Sequence, residues 1–150
     1  MSHYMHSTTI HTPVSPPSPA ELPGEEIDYL RLLSMVGGDL PCLSEIVDCY
    51  LEDLGPRIIE LAAAITGRQR ELTGRIAHLL RGSTSNFSVG ATFAACTALE
   101  SAAQTATWEE IASAQEHLMR TLRGLLTSLT AVRRKCALGI AGDCVAAPRF

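Results

Sequence analysis

Gln69-Arg70-Glu71-Leu72-Thr73-Gly74-Arg75-Ile76-Ala77-His78-Leu79-Leu80-Arg81-Gly82-Ser83-Thr84-Ser85-Asn86-Phe87 is the stretch on which the reading of this chain turns. At about 100° per residue, Leu72, Ile76, Leu79, Leu80, Ser83 and Phe87 gather on one side of a helix, which is the signature of a core-facing stripe. His78 falls opposite the middle of that cluster. Within about 60° of it lie Glu71, Gly74, Arg75, Arg81, Gly82 and Ser85. The spacing therefore predicts an exposed histidine in mid-helix, flanked by cations and with a glycine one turn away on either side. Each interior glycine costs a helix about 0.5–1 kcal/mol relative to alanine. Clearance is one reason to keep them, because a face bare of side chains lets another protein approach the imidazole. Arg75 and Arg81, three residues to either side, can offset negative charge on a group attached to the ring. The competing reading is an ordinary solvated face carrying one histidine and two incidental glycines.

Working outward, the following segment, from about Val89 to Thr105, has a second helical period. Phe93, Cys96, Glu100 and Ala103 share a face, which sets a carboxylate along an otherwise apolar stripe or at its margin. Contact with His78 Nδ1 would give Glu100 a partner, fix the ring tautomer and leave Nε2 as the nucleophile. Otherwise Glu100 edges the core and reaches solvent.

The remaining segments supply the rest of a bundle. From Glu25, the residues Ile27, Leu30 and Leu33 or Met35 repeat at helical spacing until Gly37-Gly38 stops them. Asp39 is placed to cap a long second helix, with Pro41 in its first turn. Its stripe of Leu43, Ile46, Val47, Tyr50, Leu51 and Leu54 continues past Gly55-Pro56 through Ile58, Leu61, Ala62 and Ile65, so a kink is expected there rather than a break. Thr107 and Glu110 form a capping-box pattern before a last helix. Its stripe of Ile111, Leu118, Leu122, Leu125, Leu129 and Val132 runs near a seven-residue repeat, and Arg133 to Lys135 lie at its end. No segment alternates as strands do. The expected fold is all-α, an antiparallel four-helix bundle with a short additional N-terminal helix as a lid.

Five of the eight prolines fall between Pro13 and Pro23, so residues 1–24 are expected to form a flexible Pro-rich tail, 25–135 the bundle, and 136–150 a C-terminal tail with no clear period. His3, His6 and His11 belong to the first tail and are read as bystanders. The cysteines are Cys42, Cys49, Cys96, Cys136 and Cys144. Their odd count, wide spacing and lack of any C-x-x-C pair argue against a disulfide framework or zinc site, and for reduced thiols packed as small hydrophobes. A net charge of −4 argues against general nucleic-acid binding, and no apolar run reaches the roughly 20 residues that would span a bilayer. No leader peptide, membrane partner or bound metal is expected, and a cytoplasmic monomer is the anticipated form. There is no P-loop, no glycine-rich dinucleotide turn and no Glu-x-x-His pair, which speaks against a nucleotide-using kinase or a bundle metal site.

Ala77-His78-Leu79-Leu80-Arg81-Gly82-Ser83 resembles the A-H-x-L-K/R-G-S signature of histidine-containing phosphotransfer (HPt) domains. Cys96-Thr97-Ala98-Leu99-Glu100 resembles that family's C-x-x-L-E/Q stretch, and Ile27-Asp28 with Val36-Gly37-Gly38-Asp39 resembles its opening helix and turn. The similarity spans about Glu25 to Val132. It implies a phosphorelay carrier in which His78 takes a phosphoryl group from a receiver-domain aspartate of a hybrid sensor kinase and passes it to a response regulator. Arg81 then matches the basic neighbour, Gly82 the clearance position, and Glu100 the residue that orients the ring. Glu71, Gly74, Arg75, Gly82 and Ser85 would meet the docked partner. No intrinsic cofactor is implied, since the receiver would bring Mg²⁺ with its own aspartates. Three positions depart from the pattern: Arg81 stands for the commoner lysine, Ser88 for a glycine, and Thr92 for an apolar residue. Ser88 and the long tails motivate the alternative of a non-transferring adaptor that binds receivers with the same bundle. His117 lacks a glycine one turn later and is read as a boundary residue rather than a second acceptor.

Overall fold

A computed structural model of the chain describes residues 24–25 and 27–141. Within them lie α1 (Tyr29–Met35), α2 (Leu40–Thr66), α3 (Arg70–Ser85), α4 (Ala91–Thr105) and α5 (Trp108–Ala137), and no strand. The helix ends follow from local chemistry. Asp28 accepts a hydrogen bond from the Arg31 amide at 2.9 Å, and Asp39 one from the Cys42 amide at 3.0 Å. Gly37 and Gly38 take φ of +63° and +80°, the left-handed backbone that ends α1. Thr107 and Glu110 close a reciprocal capping box at the start of α5. Pro56 lies inside α2, which runs unbroken past it.

The short connections leave successive helices antiparallel, with α2 on α3, α3 on α4, α4 on α5, and α5 back on α2. That closed ring is the four-helix bundle, and α1 packs over one end through Tyr29, Leu32 and Leu33. Ile111, Leu118, Leu125 and Val132 descend one side of the core at seven-residue steps, with Leu122, Leu129 and Cys136 beside them.

Several expectations need correction. The chain is not helical from Glu25; α1 begins at Tyr29, and residues 24–25 lie against α5 through a Glu25 N–H bond to the Gly124 carbonyl at 3.2 Å. The buried face of α3 is Thr73, Ile76, Ala77, Leu80 and Thr84, so Leu79 is not in the core: it is 46% exposed, and Ser83 is half-buried. The cause is that two threonines are buried with satisfied hydroxyls. Thr73 donates to the Gln69 carbonyl at 2.8 Å, and Thr84 shares a 3.0 Å hydrogen bond with the Tyr50 hydroxyl. On α4 the core stripe is Thr92, Ala95, Cys96, Leu99 and Ala103, which moves Phe93 to its margin; Glu100 lies at the margin too, one of the two placements expected for it. Cys96 and Cys136 are buried as expected and Cys42 is half-buried, but Cys49 is exposed; all four are unpaired. α5 carries the bundle through Cys136 and Ala137, two residues into the expected C-terminal tail; Cys144 and His3, His6 and His11, with residues 1–23 and 142–150, lie outside the described residues.

Candidate functional site

α3 and α4 are packed more extensively than any other pair, and the site lies on their outer seam. His78 projects from the middle of α3 with 59% of its side chain exposed. Glu100, two-thirds of the way along α4, reaches across the seam and places Oε1 2.9 Å from His78 Nδ1. Its side chain is only 24% exposed, so the carboxylate is the sheltered partner and the ring the accessible one. Arg81, one turn after His78, sets Nη1 3.1 Å from Glu100 Oε2 and Nη2 3.1 Å from His78 Nδ1.

Those distances assign the tautomer. Glu100 as a carboxylate can only accept, so a nitrogen 2.9 Å from it carries the proton. Nδ1–H cannot then accept from Arg81, whose guanidinium is held by charge against Oε2 rather than by a bond to the ring. Oε2 is buried with no well-aligned donor, which makes the Arg81 cation the group that balances it. In the neutral ring the remaining nitrogen, Nε2, holds the lone pair. The three side chains form one unit: a basic ring nitrogen presented to solvent, a carboxylate behind it, and a cation beside both.

The other expected site residues are distributed around this unit. Arg75 and Glu71 are both exposed and pair loosely at 3.5 Å. Gly74 lines the shallow groove that runs from His78 and Glu100 toward Gln104. A Cβ at Gly74 would make ordinary contact with Ala103 at 3.5 Å, and one at Gly82 would meet nothing within 4 Å. Neither glycine is required by packing among the described residues. Ser85 turns its hydroxyl back to the Gly82 carbonyl at 2.6 Å. His117 is exposed on α5, where it borders a groove with Arg120 and Glu25.

Several residues around the site are misplaced by the periodic pattern or leave no mark in it. Leu79 adds an exposed apolar side chain next to His78. Arg70 donates to the Ala103 and Ala106 carbonyls at 3.3 and 2.7 Å and lies 4.8 Å from the Trp108 ring centre, tying the start of α3 to the end of α4. Behind His78, on the core side, burial pushes the Cys96 thiol up to about 11 and the Tyr50 hydroxyl up to about 12. Ser88 and Thr92, the two off-pattern positions, both donate through their hydroxyls to the Glu25 carboxylate, Ser88 at 2.6 Å. A long-range partner of this kind leaves no trace in local spacing. At the end of α5, Arg133 pairs with Asp48 at 3.0 Å and Lys135 sits 4.8 Å over the Tyr29 ring, so that basic cluster braces the bundle.

Set against known protein families, the chain matches the Hpt domain over residues 45–134. No curated protein and no solved structure matches it.

Proposed function

The chain belongs to the Hpt domain family, the histidine phosphocarriers of two-component signalling, and from that premise we propose that His78 carries the phosphoryl group on Nε2. The donor is the aspartyl phosphate of a receiver domain in a hybrid sensor kinase, and the acceptor is a response regulator. The observation that carries this reading is the 2.9 Å contact from Nδ1 of an exposed ring to a sheltered carboxylate.

Transfer in this arrangement needs no proton movement. The Nε2 lone pair attacks phosphorus in line, an N–P bond forms, the P–O bond to the donor aspartate breaks, and that aspartate leaves as a carboxylate. The ring keeps its Nδ1 proton and becomes positively charged, and Glu100 stabilises that charge through the hydrogen bond already in place. Arg81, held beside the ring by Glu100, opposes the negative charge of the bound phosphoryl group. The second transfer is the same step in reverse, with the regulator's aspartate as nucleophile. We assign the Mg²⁺ of the reaction to the receiver and its own aspartates.

Docking is assigned to the face around His78, with Gly74 and Gly82 giving clearance and Glu71, Arg75 and Ser85 at its rim. Because no contact among the described residues requires Gly82, its helix cost of about 1 kcal/mol is most simply offset by a partner. Ser88, which motivates the adaptor alternative, is accounted for by its bond to Glu25. The exchange is proposed to occur in the cytoplasm with the carrier as a monomer. Separately, no described helix is long and apolar enough to cross a membrane. The test is incubation with a phosphorylated receiver domain and Mg²⁺. Wild-type chain should acquire acid-labile, alkali-stable phosphate, and His78→Gln none; equal labelling of the two would remove His78 from the mechanism.

A further inference from the structure

α4 is an unusually smooth helix: six of its fifteen residues are alanine, and Leu99 is the one large aliphatic side chain on its buried face. Such a helix offers few protrusions to fix its position along the neighbouring α3. Yet the His78–Glu100 contact spans these two helices and depends on their axial register. The ends of α4 are where register can be set. Arg70 binds the carbonyls at its C-terminal end. At its N-terminal end the cap residue is Gly90, which contributes no side chain.

The missing cap comes from far away in sequence. The Glu25 carboxylate accepts from the Thr92 amide at 3.3 and 3.4 Å, from the Thr92 hydroxyl, and from Ser88 Oγ at 2.6 Å. Ser88 Oγ in turn accepts from the Gly90 amide at 3.0 Å. The Glu25 backbone is itself fixed to α5, by its N–H to the Gly124 carbonyl and by Ser128 Oγ to its own carbonyl at 2.5 Å. Thr92 is fully buried and Ser88 nearly so, so neither hydroxyl has water as a substitute partner. Two glycines make room for the arrangement. A Cβ at Gly90 would stand 2.7 Å from Glu25 Oε1, and one at Gly24 2.6 Å from Ser128 Oγ. Glu25 lies well upstream of residues 45–134, the part matched to the family.

We propose that Glu25 is a positioning residue for phosphoryl transfer: by clamping the α3–α4 junction to α5, it holds Glu100 in register with His78. This rests on the transfer function assigned above. Replacing Glu25 with alanine frees the first turn of α4 and leaves the Ser88 and Thr92 hydroxyls without their acceptor. α4 then settles in a mixture of positions in which Nδ1 is not always opposite Oε1.

Two measurements on the full chain decide it, made well below the melting temperature. In the unphosphorylated protein, the ¹⁵N shifts of the His78 ring should report a single Nδ1–H tautomer, and Glu25→Ala should move them toward a tautomer mixture. In transfer from a phosphorylated receiver, Glu25→Ala should slow uptake on the order of tenfold, since a small misplacement is costly at a reacting centre. That slowing should vanish when Glu100→Ala is already present. Glu25→Gln, which retains one acceptor oxygen, should change both readouts in the same direction by less, and it serves if the alanine variant does not fold. A lower melting temperature with the wild-type tautomer and rate would overturn the proposal, as would equal slowing with and without Glu100. If the wild-type chain takes up no phosphate, the transfer function fails, while the ring shifts still report on the clamp.

Discussion

Glu100 is bound to His78 on one oxygen and to Arg81 on the other, and its two losses can be separated by substitution. Glu100→Gln keeps an acceptor for Nδ1–H but removes the charge; Glu100→Ala removes both. Charged hydrogen bonds exceed neutral ones by about 1 kcal/mol, so uptake by Glu100→Gln should slow about fivefold and by Glu100→Ala about thirtyfold. Stopped-flow mixing with a phosphorylated receiver measures this, and wild-type rates in both variants would show that the carboxylate is a bystander. Gly82 separates stability from docking in the same way. With open space around its Cβ position, Gly82→Ala should stabilise the chain by about 0.5–1 kcal/mol, seen as a higher melting temperature. Gly82→Glu should fold normally and transfer slowly; fast transfer there would refute the clearance argument. At this scale the sequence was informative about His78 and Gly82, whose exposure follows from the wheel, while Gly74 is half-buried against α4. It was less so about Glu100, since its distance to the ring depends on how two helices pack.

The elements divide according to where their stabilising partners lie. Caps within three residues were legible where the residue types read as caps: Asp39 and the Thr107–Glu110 box occur as predicted, while the Asp28 cap of α1 was not anticipated, because the expected helix starts at Glu25. Thr107→Ala should therefore cost about 1 kcal/mol in denaturant unfolding. The hydrogen bonds that the Thr107 backbone and side chain make to Glu110 hold its carboxyl below the usual range. Partners between elements were not legible. Leu79 was expected in the core because a wheel weighted by hydropathy gives Thr73 and Thr84 no credit, although the Tyr50 hydroxyl makes Thr84 a good buried residue. Likewise α1 was expected to start at Glu25, because the spacing of Ile27, Leu30 and Leu33 extends the helical period upstream of Tyr29. Glu25 instead caps α4.

The bundle joins Tyr50 on α2, Thr84 on α3 and Cys96 on α4 around one buried polar point, and this gives the whole molecule a pH response. Burial raises the folded-state values of Tyr50 and Cys96 above their ordinary ones, so the folded chain binds more protons than the unfolded chain in alkaline solution. Their contribution is complete below pH about 9 and is lost as pH rises toward about 12, so the melting temperature should fall across that window. Tyr50→Phe should flatten part of the fall while costing about 1–3 kcal/mol at neutral pH, because it leaves the Thr84 hydroxyl unpaired. A melting temperature that stays level to pH 11 in the wild type would contradict this account. The proposed chemistry is concentrated on the opposite side of α3, at Nε2 of His78. The most direct test is ³¹P and ¹⁵N NMR of the chain after reaction with a phosphorylated receiver domain. The predicted result is a phosphoramidate with phosphorus coupled to Nε2 of His78 and the proton retained on Nδ1; phosphorus on Nδ1, or on His117, would contradict it.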